Sequence, residues 1–214
     1  MLYLTGCLEA DCVLLMHTVP GQDPSSFKTV MFTPQYDPSQ ELWDGPRTIP
    51  SGAQKVWGVD EGLPLGEITK YLSSLELDLN SPNIWYHYLN PNNHEIHRLL
   101  HPWISGGRQG KMESAKPHIH NLRVIKSPAE IELMRKTCEI SSESIINTMK
   151  SCTSPTSEHD LFATVDYHCR IKGAEHLAYP PVVAGGARAN IIHYINNNQL
   201  IKPGELVLMD AGED

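Results

Sequence analysis

Three side chains in the last quarter of this chain have types and spacing that chemistry could use: Tyr179, His193 and Asp210. Tyr179 opens Tyr-Pro-Pro-Val-Val-Ala-Gly-Gly, His193 follows Ile191-Ile192, and Asp210 ends the apolar run Leu206-Val-Leu-Met. A carboxylate closing an apolar strand is costly to bury unless it is paired or bound to a cation. The Ala-Gly after Asp210 lets an ion or another chain approach. The chemical reading is an oxygen ligand for a hard or borderline divalent metal. The plain reading is a strand-end aspartate capping a turn. His193 reads as a strand residue facing away from Ile192. As a neutral imidazole it would hydrogen-bond substrate or shuttle protons; on its pattern alone, a half-buried strand histidine is the better account. Tyr179 reads as a phenol donor on a pocket wall stiffened by two prolines, or as a rigid linker into the sheet.

Other motifs carry less. Gly185-Gly186 lacks the G-x-G-x-x-G frame, so a nucleotide site is weakly supported. His94-Glu-Ile-His97 has its histidines at i and i+3, not the i and i+4 of the zinc motif, and no third ligand is in view. His118-Ile-His120 falls in a linker-like stretch. Neither pair is assigned zinc.

The elements that must hold the three residues follow from periodicity. Ser127-Pro-Ala-Glu130 spells a capping box that starts a helix running to about Ser151, with Ile131, Met134, Cys138, Ile145 and Met149 near one face. A second helix starts near Ser157, with Asp160 three residues on, an apolar stripe at Leu161, Phe162, Val165 and Cys169, and Gly173 past its end. The runs 181–184, 191–194 and 206–209 read as strands of a meander, and Lys202-Pro-Gly-Glu205 suits a type II turn. Upstream, 1–6, 11–17, 28–33, 56–59 and 83–88 read as strands, and 65–75 and 92–100 as helices. Alternating strands and helices predict a mixed α/β unit over residues 1–115. The Pro/Gly/Lys-bearing stretch 102–120 is the boundary, and 121–214 is an α+β unit.

Bulk properties narrow the classes. The 214 residues carry a net charge of −8, which disfavours a nucleic-acid partner. The five cysteines are unpaired in spacing and read as reduced thiols, with Cys138 and Cys169 expected in the core. No apolar run reaches the ~18 residues of a membrane span, and no targeting peptide is visible after Met1.

In this order, Tyr179 to Gly186, Ile191-Ile-His-Tyr194 and Leu200 to Gly212 resemble the catalytic core of the Xaa-Pro aminopeptidases, the aminopeptidase P group of the pita-bread metallopeptidases. The likeness is greatest to the mitochondrial type. Leu122 to Ile131 resembles the first helix of that catalytic domain; Leu2 to Gly6 and Glu41-Leu-Trp-Asp-Gly-Pro-Arg47 resemble its N-terminal domain. The resemblance implies a creatinase-like α/β domain over 1–115 and the first part of an α+β pita-bread domain over 121–214. It implies removal of an N-terminal residue that precedes proline, with two metal ions, commonly manganese, holding a water or hydroxide. Such a pair lowers the water's pKa and stabilises the oxygen formed on attack. By resemblance, Asp210 is a metal ligand at the substrate edge, His193 a catalytic histidine that contacts substrate, and Tyr179 a substrate contact. The implied partners are peptides with proline second and a further copy through the N-terminal domain; no nucleic acid or membrane is implied.

The implied location is mitochondrial or cytoplasmic. The family's other ligands, a second aspartate, a histidine and two glutamates, all follow the matched aspartate. The chain therefore reads as truncated at both ends, short of most ligands, a poor manganese binder and inactive alone, with residues 121–214 poorly stable by themselves. The alternative is a non-catalytic isoform acting as an interaction or dimerisation module. A pita-bread binding module, as in some chaperone subunits, is a third reading.

Overall fold

The computed structural model describes residues 1–19, 21–23, 25–75, 84–86, 93–106, 112–153 and 155–213. They form two units that divide between Asn121 and Leu122. In the first unit the opening residues are one helical turn, α1 (Leu2–Thr5), not the strand that the sequence suggests; Gly6, at φ 71°, ends it. So short an apolar run does not by itself distinguish strand from helix. The hairpin expected next is present: β1 (Val13–Thr18) runs antiparallel to β2 (Phe27–Thr33), with Val13 opposite Phe32. β1 is half-buried rather than fully buried, and the deep strand is β2.

Asp37 caps α2 (Pro38–Asp44) by accepting from the amides of Ser39 and Gln40. The strand expected at 56–59 is instead the end of α3 (Ala53–Trp57), closed by Gly58 at φ 67°. The third strand follows it as β3 (Glu61–Pro64), parallel to β2. The resulting sheet, in order β1-β2-β3, is mixed. The helix expected at 65–75 is a 3-10 turn leading into α4 (Ile68–Ser74). Of the strand expected at 83–88, Ile84 and Trp85 form β4, while residues 83, 87 and 88 lie outside the described residues. α5 (His94–Ser105) runs through Pro102. β5 (Met112–Glu113) pairs with β4, and α6 (Lys116–Val124) follows, so helix and strand occupy much of the expected linker.

Successive side chains of β2 point to opposite faces, and each face has its own core. Val30 and Phe32 pack with Ile68, Leu72, Leu100, Trp103 and Ile104. Met31 packs with Cys7, Cys12, Ala53 and Val59.

In the second unit, Ser127 and Glu130 form the predicted capping box of α7 (Pro128–Ser151). The expected apolar stripe does not enter the core. Ile131, Met134, Cys138 and Met149 are exposed, and the fully buried positions are Ser144 and Thr148. Their hydroxyls donate to the carbonyls of Ile140 (2.7 Å) and Ser144 (2.8 Å). Small, internally satisfied side chains let this face of α7 pack closely. Next come β6 (Thr156–Ser157) and α8 (Glu158–Ile171), whose Ser157/Asp160 capping box and buried Leu161, Val165 and Cys169 follow the sequence pattern. Gly173 sits past the helix at φ 104°.

β7 (Val182–Gly185) is buried at every position and runs into a 3-10 turn, Gly186–Asn190. Ile191 to Tyr194 is a turn, not a strand: Ile191 N–H donates to Arg188 O (2.9 Å) and Tyr194 N–H to Ile191 O (3.3 Å). β8 (Leu200–Ile201) pairs with β6, and β9 (Val207–Asp210) pairs antiparallel with β7. A meander is thus replaced by two separate pairings. The turn between β8 and β9 matches its sequence, with Gly204 at φ 86° and Glu205 N–H donating to Lys202 O (3.0 Å).

Gly62 in β3 sits against the turn before α3; a Cβ there would lie 2.0 Å from Pro50 O and 2.7 Å from Ala53 Cβ. Gly62→Ala is expected to destabilise the first unit by about 1–3 kcal/mol or more, because backbone must move to admit the methyl. Urea unfolding followed at Trp57, which flanks the Met31 core, checks this.

Candidate active site

The Val182–Asp210 end of the β7–β9 ladder brings Tyr179 to Asp210. Beyond the pair Val182–Asp210 the chains stay antiparallel, with Ala178 N–H donating to Gly212 O (3.0 Å) and a bridge between Leu177 and Glu213. The Leu177-to-Val182 side carries two more residues than the Asp210-to-Glu213 side, so the strand bulges. Pro180 and Pro181 occupy the bulge, where the lack of an N–H costs no ladder bond. Tyr179, at its edge, donates its hydroxyl to Asp210 Oδ1. That bond, with some burial and the charge of Asp210, pushes the Tyr179 phenol above its ordinary pKa, so it stays a donor. Asp210 is exposed, so its place at the strand end, not the cost of burial anticipated from the apolar run, sets it apart. Glu213 is buried and its Oε2 has no hydrogen-bond partner among the described residues. Burial pushes its carboxyl up in pKa, partly opposed by the charge of Lys136.

The second feature, Glu158, was not singled out from sequence. It is the first residue of α8, and its side chain is fully buried. Four donors meet its carboxylate: Gly185 N–H (2.9 Å) and Arg188 Nε (2.6 Å) on Oε1, and the Tyr194 hydroxyl (2.8 Å) and Gln199 N–H (3.0 Å) on Oε2. Its own amide donates to Gln199 O (3.0 Å). Burial alone would raise its pKa; these four donors outweigh burial and hold it below the usual glutamate range. Gly185-Gly186 does bring an amide to an anion, but the anion is Glu158. A Cβ on Gly185 would stand 2.8 Å from Arg188 Nη2, and one on Gly186, at φ 57°, 2.7 Å from Glu205 Oε1. Asn197, buried at φ 46°, completes the edge of β7: it accepts from Val183 N–H (2.9 Å) and donates to Pro181 O (2.8 Å). An acidic residue in a first helical turn is commonplace. Nothing local in Ser157-Glu-His-Asp160 announces partners 27 to 41 residues away.

His193 lies on the loop held this way and is exposed. Its neighbour Tyr194 is buried against Val182 and Ala184. His97, by contrast, shares a 3.0 Å hydrogen bond with the Tyr86 hydroxyl, and His118 lies against the Trp85 ring.

Residues 1–85 match the aminopeptidase P N-terminal domain, and residues 132–213 match metallopeptidase family M24. Human Xaa-Pro aminopeptidase 3 is 42% identical over 214 residues, an overlap covering 99% of this chain and 42% of that protein. The two segments are similar to the two domains of the aminopeptidase P group of the M24 metallopeptidases. Mitochondrial intermediate cleaving peptidase 55 of Arabidopsis thaliana is 33% identical over 99% of this chain and 41% of its own length. Zinc-substituted Escherichia coli aminopeptidase P in complex with product superposes with a TM-score of 0.87 at 28% identity, covering 99% of this chain and 49% of that one. Pseudomonas aeruginosa aminopeptidase PepP gives 0.82 at 33%, covering 100% and 48%. The chain spans about half the length of these M24 relatives.

The fold is the aminopeptidase P N-terminal α/β domain with the start of the pita-bread domain. The metal implied by an M24 assignment finds no full donor set among the described residues. Among the described residues no three His, Cys, Asp or Glu side chains come together as metal ligands. Asp210 supplies one carboxylate, with one oxygen already bonded to Tyr179.

Because the Glu158 carboxyl titrates lower when folded, its stabilisation is fully present above the ordinary glutamate pKa. It is lost as pH falls through the depressed folded value. Glu158→Gln is expected to cost about 3–5 kcal/mol at neutral pH by removing the buried carboxylate that pairs with Arg188, which is left with Glu205 at 4.0 Å. It should also flatten the acid limb of unfolding free energy against pH. An unchanged acid limb in denaturant titrations of the variant would contradict this.

Proposed function

We propose that this chain carries one edge of the active site of a metal-dependent aminopeptidase that releases the N-terminal residue from peptides with proline second. The observation that supports it is the carboxylate of Asp210, exposed at the end of β9 and oriented by the Tyr179 hydroxyl. A donor to the free oxygen of a ligating carboxylate is the kind of contact that fixes ligand orientation. In this reading Asp210 is a metal ligand at the substrate edge, His193 hydrogen-bonds substrate as the catalytic histidine, and Tyr179 lies against substrate while orienting Asp210. Manganese is the metal proposed, and it needs donors beyond those the described residues bring together. Relatives named Xaa-Pro aminopeptidase 3 supply the substrate class, and the relative named mitochondrial favours that compartment.

The test compares the purified 214-residue chain with the longest natural product containing it, both with manganese and an Xaa-Pro peptide. The chain alone is expected to release nothing. The longer product is expected to release the first residue, to lose that activity as Asp210→Asn, and to fall about 10–100-fold as Tyr179→Phe. Release by the chain alone, or full activity in Asp210→Asn, would overturn the corresponding part of the proposal.

A further inference from the structure

We infer that Glu158 and Tyr194 are positioning residues for His193: one buried carboxylate holds both flanks of the loop that presents the imidazole. The inference rests on the reading of His193 as a site residue. His193 is exposed and sits in a turn between Ile191 and Tyr194, with no helix or strand of its own to fix it. What fixes it must come from the residues on either side.

On the N-terminal side, Ile191 N–H donates to Arg188 O (2.9 Å), and Arg188 donates from Nε to Glu158 Oε1 (2.6 Å). On the C-terminal side, the adjacent Tyr194 donates its hydroxyl to Glu158 Oε2 (2.8 Å) while its ring packs on Val182 and Ala184. Gly185 N–H and Gln199 N–H bind the same carboxylate at the loop's two roots. The two oxygens of Glu158 thus split the loop between them: Oε1 takes the segment before His193, Oε2 the segment after it. A charge-assisted bond at each flank leaves the turn little freedom. Tyr194 keeps its proton for this role, since burial and its bond to Glu158 both push the phenol above its ordinary pKa.

Tyr194→Phe separates positioning from stability, because it removes one donor and leaves Gln199 N–H on Oε2. In the 214-residue chain, the His193 ring signals in carbon–proton NMR are expected to shift or split in Tyr194→Phe, with Val30 and Phe32 signals unchanged. In the longest natural product, Tyr194→Phe is expected to lower kcat about 10-fold with little change in KM, the pattern of a misplaced group. In a His193→Ala background it should have no further effect. His193 signals that do not move, or losses that multiply in the double variant, would overturn the inference. Absence of peptidase activity in the unmutated longer product would overturn the peptidase reading alone, and the NMR comparison would still decide whether the clamp fixes His193.

Discussion

The second unit depends on one buried carboxylate. Glu158 begins α8, yet its side chain reaches β7, the 3-10 turn after it, the His193 turn and the start of β8. A buried charge is tolerated only where paired and hydrogen-bonded. Here the compensation is complete enough to depress the carboxyl's pKa despite burial. The arrangement also answers where the backbone groups of β7 go. On one edge β7 pairs with β9, while Val183 and Gly185 give their amides to Asn197 and Glu158 side chains. Two side chains stand where a neighbouring strand would otherwise be needed, and the loop that carries them is held against β7 as a consequence.

The glycine pair after Ala184 makes sense in that setting. Gly185 and Gly186 leave room for the Arg188 guanidinium and the Glu205 carboxylate, which lie 4.0 Å apart. An ion cluster stands where a glycine pair could instead have cradled a phosphate. At the other end of the β7–β9 ladder, the double-proline bulge sets Tyr179 opposite Asp210. The candidate site is therefore built on two devices at the ends of one short ladder: a bulge that aims a phenol at a carboxylate, and a clamp that fixes a histidine loop. Both belong to the segment matched to the M24 metallopeptidases.

The first unit is organised differently. Its central strand β2 faces two apolar cores, one under α4 and α5, the other formed with the loop before β1, α3 and Val59 just after it. Among its described residues no charged side chain is buried. Close approach is achieved by Gly62, against which the turn before α3 rests.

Much of this was legible in order along the chain. The β1–β2 hairpin, both capping boxes, the α8 stripe and the Pro203-Gly204 turn rest on local patterns, in which a residue's partners lie within a few positions. Val56 to Val59 and Ile191 to Tyr194 were misread as strands because short apolar runs fit more than one element, and Gly58 and the Arg188 carbonyl decided otherwise. The α7 stripe was misread because periodicity shows that a face is apolar, not which face α8 packs on; Ser144 and Thr148 took the buried place. The sequence by itself carried the likeness to the aminopeptidase P and M24 families and the order of Tyr179, His193 and Asp210. Only the tertiary structure decided that Tyr179 bonds Asp210 and that Glu158 governs the His193 loop. Those contacts join residues 27 to 41 positions apart, and no local spacing encodes which distant donors a buried carboxylate will gather.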